Sequence, residues 1–319
     1  MSILGTLSGD LSSSIDPATF RLGSRFGLLV ALTDDQRAPA ASDVAQALVH
    51  HKNATPNVVY VIEIGVSIPE AAMVAVTLEA ALREPQTRVV QEAKMREVLG
   101  LDVGERAAWP FSIEVGDVAA IVAADAVSLG ADLIVMGLNR HAALGRAMGR
   151  DTARQVMARS TIPVLGVRDS LSGLPKRIVV AMDFSSASKR AAMMARRLVA
   201  DGGEIHMIFV ETKVPGSASE SLEVQRRIRS EGIRAVFAQL CDELTGDGGV
   251  VLSSAVVASA DTSGELLRFC EKVKPDVIAL GSQRRRLLGR IGMGSTAGAI
   301  ANDGRWSVLV APPTPEDET

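Results

Sequence analysis

Apolar residues along the chain fall into two alternating patterns, short unbroken runs and longer stretches at helical spacing. In the second part, RIVVAM at 177 to 182 has the form of a strand buried on both faces. The Ser-rich turn at 185 to 188 suits the start of a helix through KRAAMMARRLVA. EIHMIFVE predicts a second strand, SLEVQRRIRSEGIRAVFAQL a long amphipathic helix and VVLSSAVV a third strand. GELLRFCEKV predicts a helix, DVIALG a fourth strand, and SVLVA a fifth after one more helix. The first part reads alike: FGLLVAL, a helix near 41 to 51, VVYVIE, a helix from about 70 to 99, FSIEV, a helix near 117 to 129, DLIVMG and PVLGV. Strands that alternate with helices and lack polar alternation are covered on both faces. The expected fold is therefore α/β, with two repeated doubly wound domains, each a five-stranded parallel sheet flanked by helices. Ligands in such sheets sit beyond the carboxyl ends of the strands, here where the turns after the first and fourth strands meet.

The repetition extends to individual residues. ADLIVMGLNR at 131 to 140 matches PDVIALGSQR at 275 to 284 without a gap, pairing Asp132 with Asp276, Ile134 with Ile278, Gly137 with Gly281 and Arg140 with Arg284. The same offset puts Leu144-Gly145-Arg146 on Leu288-Gly289-Arg290, Thr152-Ala153 on Thr296-Ala297, and Val164-Leu165 on Val308-Leu309. One offset held this far indicates a duplication. SLSGLP at 170 to 175 suits a short linker, which gives an extension over 1–22, a first domain over 23–169 and a second over 175–313.

Length and composition agree with this division: 319 residues exceed one ordinary core and fit two domains of about 150 each. With 47% apolar residues, 22% charged and a net charge of -3, nothing points to general nucleic-acid binding. Aromatics at 3% are too few to build stacking platforms for single strands. Cys241 and Cys270 have neither disulfide nor zinc spacing, so a reducing cytoplasm is expected. The first twenty residues do not read as a signal peptide, and no apolar run reaches the roughly 20 residues of a membrane span. The four histidines have no metal spacing, and no Ser-His-Asp order, HExxH motif or reactive-cysteine context is present, so no catalytic residue is assigned.

Candidate chemistry concentrates in GSQRRRLLGRIGMGST, 281 to 296. Gly294-Ser295-Thr296 leads into the helix AGAIAND, and a helix amino end with unpaired N–H groups suits a phosphate. The alternative is that Ser295 or Thr296 caps the helix and the glycines permit tight packing. A P-loop is rejected because Ser295 stands where its lysine should be, and a dinucleotide fingerprint because the strand ends about a dozen residues too early. Arg284, Arg285, Arg286 and Arg290 read as solvated side chains on a mobile loop, as an anion contact, or as interdomain ion pairs.

DLIVMG and DVIALG after a helix, the glycine-rich loop, and the closing PVLGV and SVLVA resemble the universal stress protein family, and the duplication resembles its tandem members. That resemblance implies the adenine nucleotide alpha-hydrolase-like fold and a regulatory protein rather than an enzyme. It also implies that ATP or another adenine nucleotide, with Mg²⁺, binds chiefly in the second domain. Nucleotide-binding members carry G-x2-G-x9-G-[ST] after the fourth strand and an aspartate after the first. Gly281 matches the first glycine, Arg284 stands at the second, and Gly294-Ser295 match the final pair, with Thr296 beside them. Asp183 matches the aspartate, Val210 lies where adenine would meet backbone, and Ala181, Met182 and Leu280 complete the implied site. In the first domain Gly137 is kept, but Arg140, Arg150-Asp151 and Thr33 replace the other elements, implying a degenerate site. The second reading is a nucleotide-free tandem module acting through protein partners. Either way the two domains are expected to form an internal pseudo-dimer, with a homodimer possible beyond it.

Overall fold

The computed structural model of the protein describes residues 26–33, 38–63, 77, 80–138, 152–212, 220–282, 285–287, 290–292 and 294–313. The first half runs β1 (Phe26–Thr33), α1 (Ala38–Lys52), β2 (Ala54–Glu63), α2 (Pro85–Val98), β3 (Phe111–Gly116), α3 (Val118–Ser128), β4 (Leu133–Gly137), α4 (Thr152–Arg159) and β5 (Val164–Val167). The second half repeats the order: β6 (Arg177–Met182), α5 (Ser186–Leu198), β7 (Glu204–Thr212), α6 (Glu220–Leu244), β8 (Val251–Ser259), α7 (Thr262–Val273) and β9 (Val277–Gly281). A hairpin, β10 (Arg285–Leu287) with β11 (Arg290–Gly292), precedes α8 (Ser295–Asp303) and β12 (Ser307–Ala311).

The absence of polar alternation in the strands has the expected cause. Leu28, Val30 and Leu32 face one layer of helices while Leu29 and Ala31 face the other, all of them buried. Helices α1, α5 and α6 cover the first face; α3, α4, α7 and α8 cover the second. Each half is parallel with strand order 3-2-1-4-5, and β5 joins β12 antiparallel, so the halves share one ten-stranded sheet. At this seam Leu165 lies opposite Leu309, the residue that the repeat matched to it. A residue meeting its own copy is the signature of a two-fold relation, here internal to one chain. The internal pseudo-dimer is thus built through the fifth strands.

The repeated aspartates also find their reason. Asp132 accepts from the Gly27 N–H at 2.8 Å, and Asp276 accepts from Lys176 and Arg177 at 2.7 and 2.9 Å. Each ties the start of a fourth strand to the start of a first. Across the seam, Lys52 pairs with Asp201 at 2.9 Å, Arg154 donates to Asn302 at 2.5 Å, and the Arg197 guanidinium stacks over the Phe26 ring at 4.2 Å.

Three expectations change. The helix expected from about 70 to 99 breaks at Glu84, which is extended (φ -75, ψ 116), because the residue before Pro85 is disfavoured in the helical region. Helical residues at 80–83 precede the break, and 64–76 lie outside the described residues. The arginine-rich segment is not simply an open loop: β10 and β11 pair antiparallel, and the backbone of β11 runs against α4 of the other half. Finally, β8 is the outermost strand of its half and exposes Val251 and Val256, so it is not covered on both faces.

Candidate functional site

Strands β6 and β9 are parallel neighbours, with Ala181 opposite Leu280 and β7 on the far side of β6. Because β7 runs on opposite side to β9, this is the point where strand order reverses. Register carries Asp183, Val210 and Ser282 to the carboxyl ends of these three strands. Met182 and Leu280 are buried, Ala181 and Val210 are half-buried, and Asp183 is exposed. The first two support the floor of the site from within the core and do not face solvent.

The Asp183 carboxylate is held in one orientation. Its Oδ1 accepts from the Ser185 N–H at 3.0 Å and from the Ser185 hydroxyl at 2.5 Å, an Asx turn. Phe184 between them sits at φ 63, a left-handed backbone that a bulky residue adopts only under tertiary constraint. The constraint is aromatic: its ring lies 5.1 Å from both Phe209 and Phe237. Ser185 also caps α5, accepting from the Ser188 N–H at 3.2 Å, as the Ser-rich turn predicts. That helix end is therefore closed by its own side chain.

The two glycines that match the motif, Gly281 and Gly294, have different roles. A Cβ on Gly281 would stand 2.5 Å from the Ser188 backbone nitrogen and 2.8 Å from the Ala187 carbonyl carbon. Gly281 is thus required by the approach of α5, so its glycine serves packing and not an open phosphate cradle. Gly294 has no described residue within 4 Å of an added Cβ and has φ 89, a conformation restricted to glycine, and it is the N-cap of α8. The alternative that Ser295 or Thr296 caps this helix does not hold: the cap residue is Gly294, which has no side chain, and Ser295 and Thr296 are the first two helical residues. Among the described residues no side chain caps the α8 amino end, Ser295 is exposed, and the end carries the partial positive charge of aligned peptides. Since α8 returns the chain to parallel β12, that end lies at the carboxyl side of the sheet, the side of Asp183.

Ser282, not singled out from the sequence, is 2% exposed, and its hydroxyl has no hydrogen-bond partner among the described residues. Its N–H donates to Ala311 O as that of Leu138 donates to Val167 O in the first half, so a leucine fills the sibling position. Phe184 was missed for a different reason: its role depends on rings from β7 and α6, far away in sequence. In the first half Thr33 ends β1 buried, and its hydroxyl also has no partner among the described residues. Arg284, Arg140, Arg150 and Asp151 lie outside the described residues. Among the described residues no three His, Cys, Asp or Glu side chains converge as metal ligands, and no helix is long and apolar enough to cross a membrane.

Residues 27–168 and 175–312 each match the universal stress protein family. No curated protein matches the chain. Among solved structures, a universal stress protein from Archaeoglobus fulgidus superposes with a TM-score of 0.56 at 18% identity, covering 90% of this chain and 97% of that one. A functionally unknown protein from Pseudomonas aeruginosa gives a TM-score of 0.56 at 16% identity, covering 93% and 95%. Both are similar in fold over the tandem arrangement.

Proposed function

The chain belongs to the universal stress protein family, and from that premise we propose that its second half binds ATP or another adenine nucleotide as a regulatory signal. The observation that carries this reading is the combination of a pre-oriented, exposed Asp183 with an uncapped α8 amino end on the same side of one sheet. In this reading Asp183 accepts from the ribose hydroxyls and Val210 borders the adenine. The first N–H groups of α8, with the Ser295 and Thr296 hydroxyls, receive the phosphates. Arg284 would clamp the phosphates, and Mg²⁺ would arrive bound to them, since Asp183 is the one carboxylate assigned to the site. The first half, with Thr33 in place of that carboxylate, is the weaker binder. The protein is read as a cytoplasmic binder, with occupancy altering its affinity for a protein partner.

Equilibrium titration of the full chain with ATP and with AMP tests this. Saturable binding, weakened about tenfold or more by Asp183→Ala, is expected, since one hydrogen bond to a charged group contributes about 1.5–3 kcal/mol. Absence of saturation at millimolar nucleotide would sink the proposal. The second reading, a nucleotide-free interaction module, is favoured by one feature: of the two motif glycines, Gly281 is consumed by packing against α5, which leaves Gly294 open to phosphate.

A further inference from the structure

Away from the nucleotide site, near the amino ends of the strands, three side chains form a chain of hydrogen bonds. Ser253 Oγ lies 2.7 Å from His206 Nδ1, and His206 Nε2 lies 3.0 Å from Glu204 Oε2. Register forces the grouping: Glu204 and His206 are two apart on β7 and share a face, and His206 is opposite Ser253 on β8. From β6, Arg177 is opposite Glu204 and donates to it through Nε at 2.8 Å. From this geometry we infer that Ser253 is a nucleophile with His206 as its general base and Glu204 positioning that base, a centre for acyl transfer from small activated esters.

The polarity of the chain follows from the charges. The Arg177 guanidinium, and then His206, hold the Glu204 carboxyl below the usual carboxylate range, so it is ionised and only accepts. A neutral His206 must then carry its proton on Nε2, leaving Nδ1 as the acceptor for the Ser253 hydroxyl. That is the arrangement of a nucleophile, a base and an orienting acid. Ser253 is exposed, so reagents reach it, while the His206 side chain is only 21% exposed and is held between its two partners. β8 is the outermost strand, and the Val251 N–H donates to Gly203 O. Even-numbered residues of β8 therefore turn their N–H groups to the open edge, and that of Ser254 is the nearest along the chain to a developing oxyanion. Nothing equivalent exists in the first half. There, Gly27, Thr55, Asn57 and Pro110 occupy the positions of Arg177, Glu204, His206 and Ser253.

In the reaction, a bond forms from Ser253 Oγ to the ester carbonyl carbon as the hydroxyl proton passes to His206 Nδ1. The bond from that carbon to the leaving oxygen then breaks, the oxygen taking the proton from Nδ1 if it needs one. When the leaving group departs as an anion, His206 first gives its proton to solvent. It then takes a proton from water as the water oxygen bonds to the acyl carbon, the bond from that carbon to Ser253 Oγ breaks, Oγ recovers the proton from Nδ1, and the carboxylic acid leaves.

The test is p-nitrophenyl acetate with the full-length protein, following p-nitrophenolate release and mapping the acetyl group by peptide mass spectrometry. Acetylation of Ser253 is expected, with release abolished by Ser253→Ala and slowed about 100-fold or more by His206→Gly. Added imidazole should restore release to His206→Gly, which a merely structural histidine would not permit. Glu204→Gln should slow release and Glu204→Asp should recover part of it, with melting temperatures checked for each variant. Acetyl on lysines alone, or release by Ser253→Ala or His206→Gly at the wild-type rate, overturns the assignment. ATP binding should be unchanged in Ser253→Ala, which separates this centre from the nucleotide site.

Discussion

Gly281 and Gly294 look interchangeable in the sequence, yet the space around them gives opposite predictions. Gly281→Ala drives a Cβ into the backbone of α5 and should destabilise the fold by about 1–3 kcal/mol, seen as a lowered denaturant midpoint. Gly294→Ala meets no neighbour among the described residues, and its cost of about 1–3 kcal/mol is strain at φ 89. Relief of that strain would move the α8 amino end, so nucleotide affinity should fall together with stability. Phe184→Ala removes the ring that holds the left-handed turn. Titration of that variant should show weaker ATP binding with Asp183 still present, because the carboxylate loses its fixed direction. Asp183, Gly294 and Ser295 are candidates that motif spacing picks out of the sequence. Phe184 and Ser282 are not, because one is defined by distant rings and the other by burial of a hydroxyl.

At the scale of elements, α5 and α8 both begin at the carboxyl end of the sheet, but only α5 is closed by its own serine. On the proposed reading, this difference makes α8 the helix that would receive the phosphates. Helix α7 carries Cys270 fully buried against the sheet, where desolvation pushes the thiol up to about 12. Iodoacetamide at pH 8 should leave it unmodified in the folded protein and alkylate it after denaturation, as read by intact mass. The folded thiol is raised above its ordinary 9.0, so its contribution to stability is complete below that value and is lost as pH rises towards 12. Most elements were legible from apolar runs and helical spacing. The β10–β11 hairpin was not, since its arginines and glycines carry neither pattern.

On the whole-molecule scale, the seam between β5 and β12 turns two domains into one sheet. Residues 175–313 alone would expose the buried β12, an edge carrying Val308, Leu309 and Val310. Such an edge recruits another strand, so the isolated half should dimerise, as light scattering would reveal, while Leu309→Asp should keep it monomeric. In the full chain, Leu165→Ala and Leu309→Ala should be non-additive by about 0.5 kcal/mol or more in a double-mutant cycle, because the two residues are direct partners.

The sequence by itself determined the duplication, the alternation of strands and helices, and the family resemblance, because these depend on local periodicity and on residue identity at a fixed offset. Tertiary structure decided which glycine is open, which helix end lacks a cap, and how Asp183 is aimed. It also brought Ser253 to His206, joining strands that no local pattern links. These outcomes depend on distances between segments remote in sequence, and only the register of the folded sheet sets them.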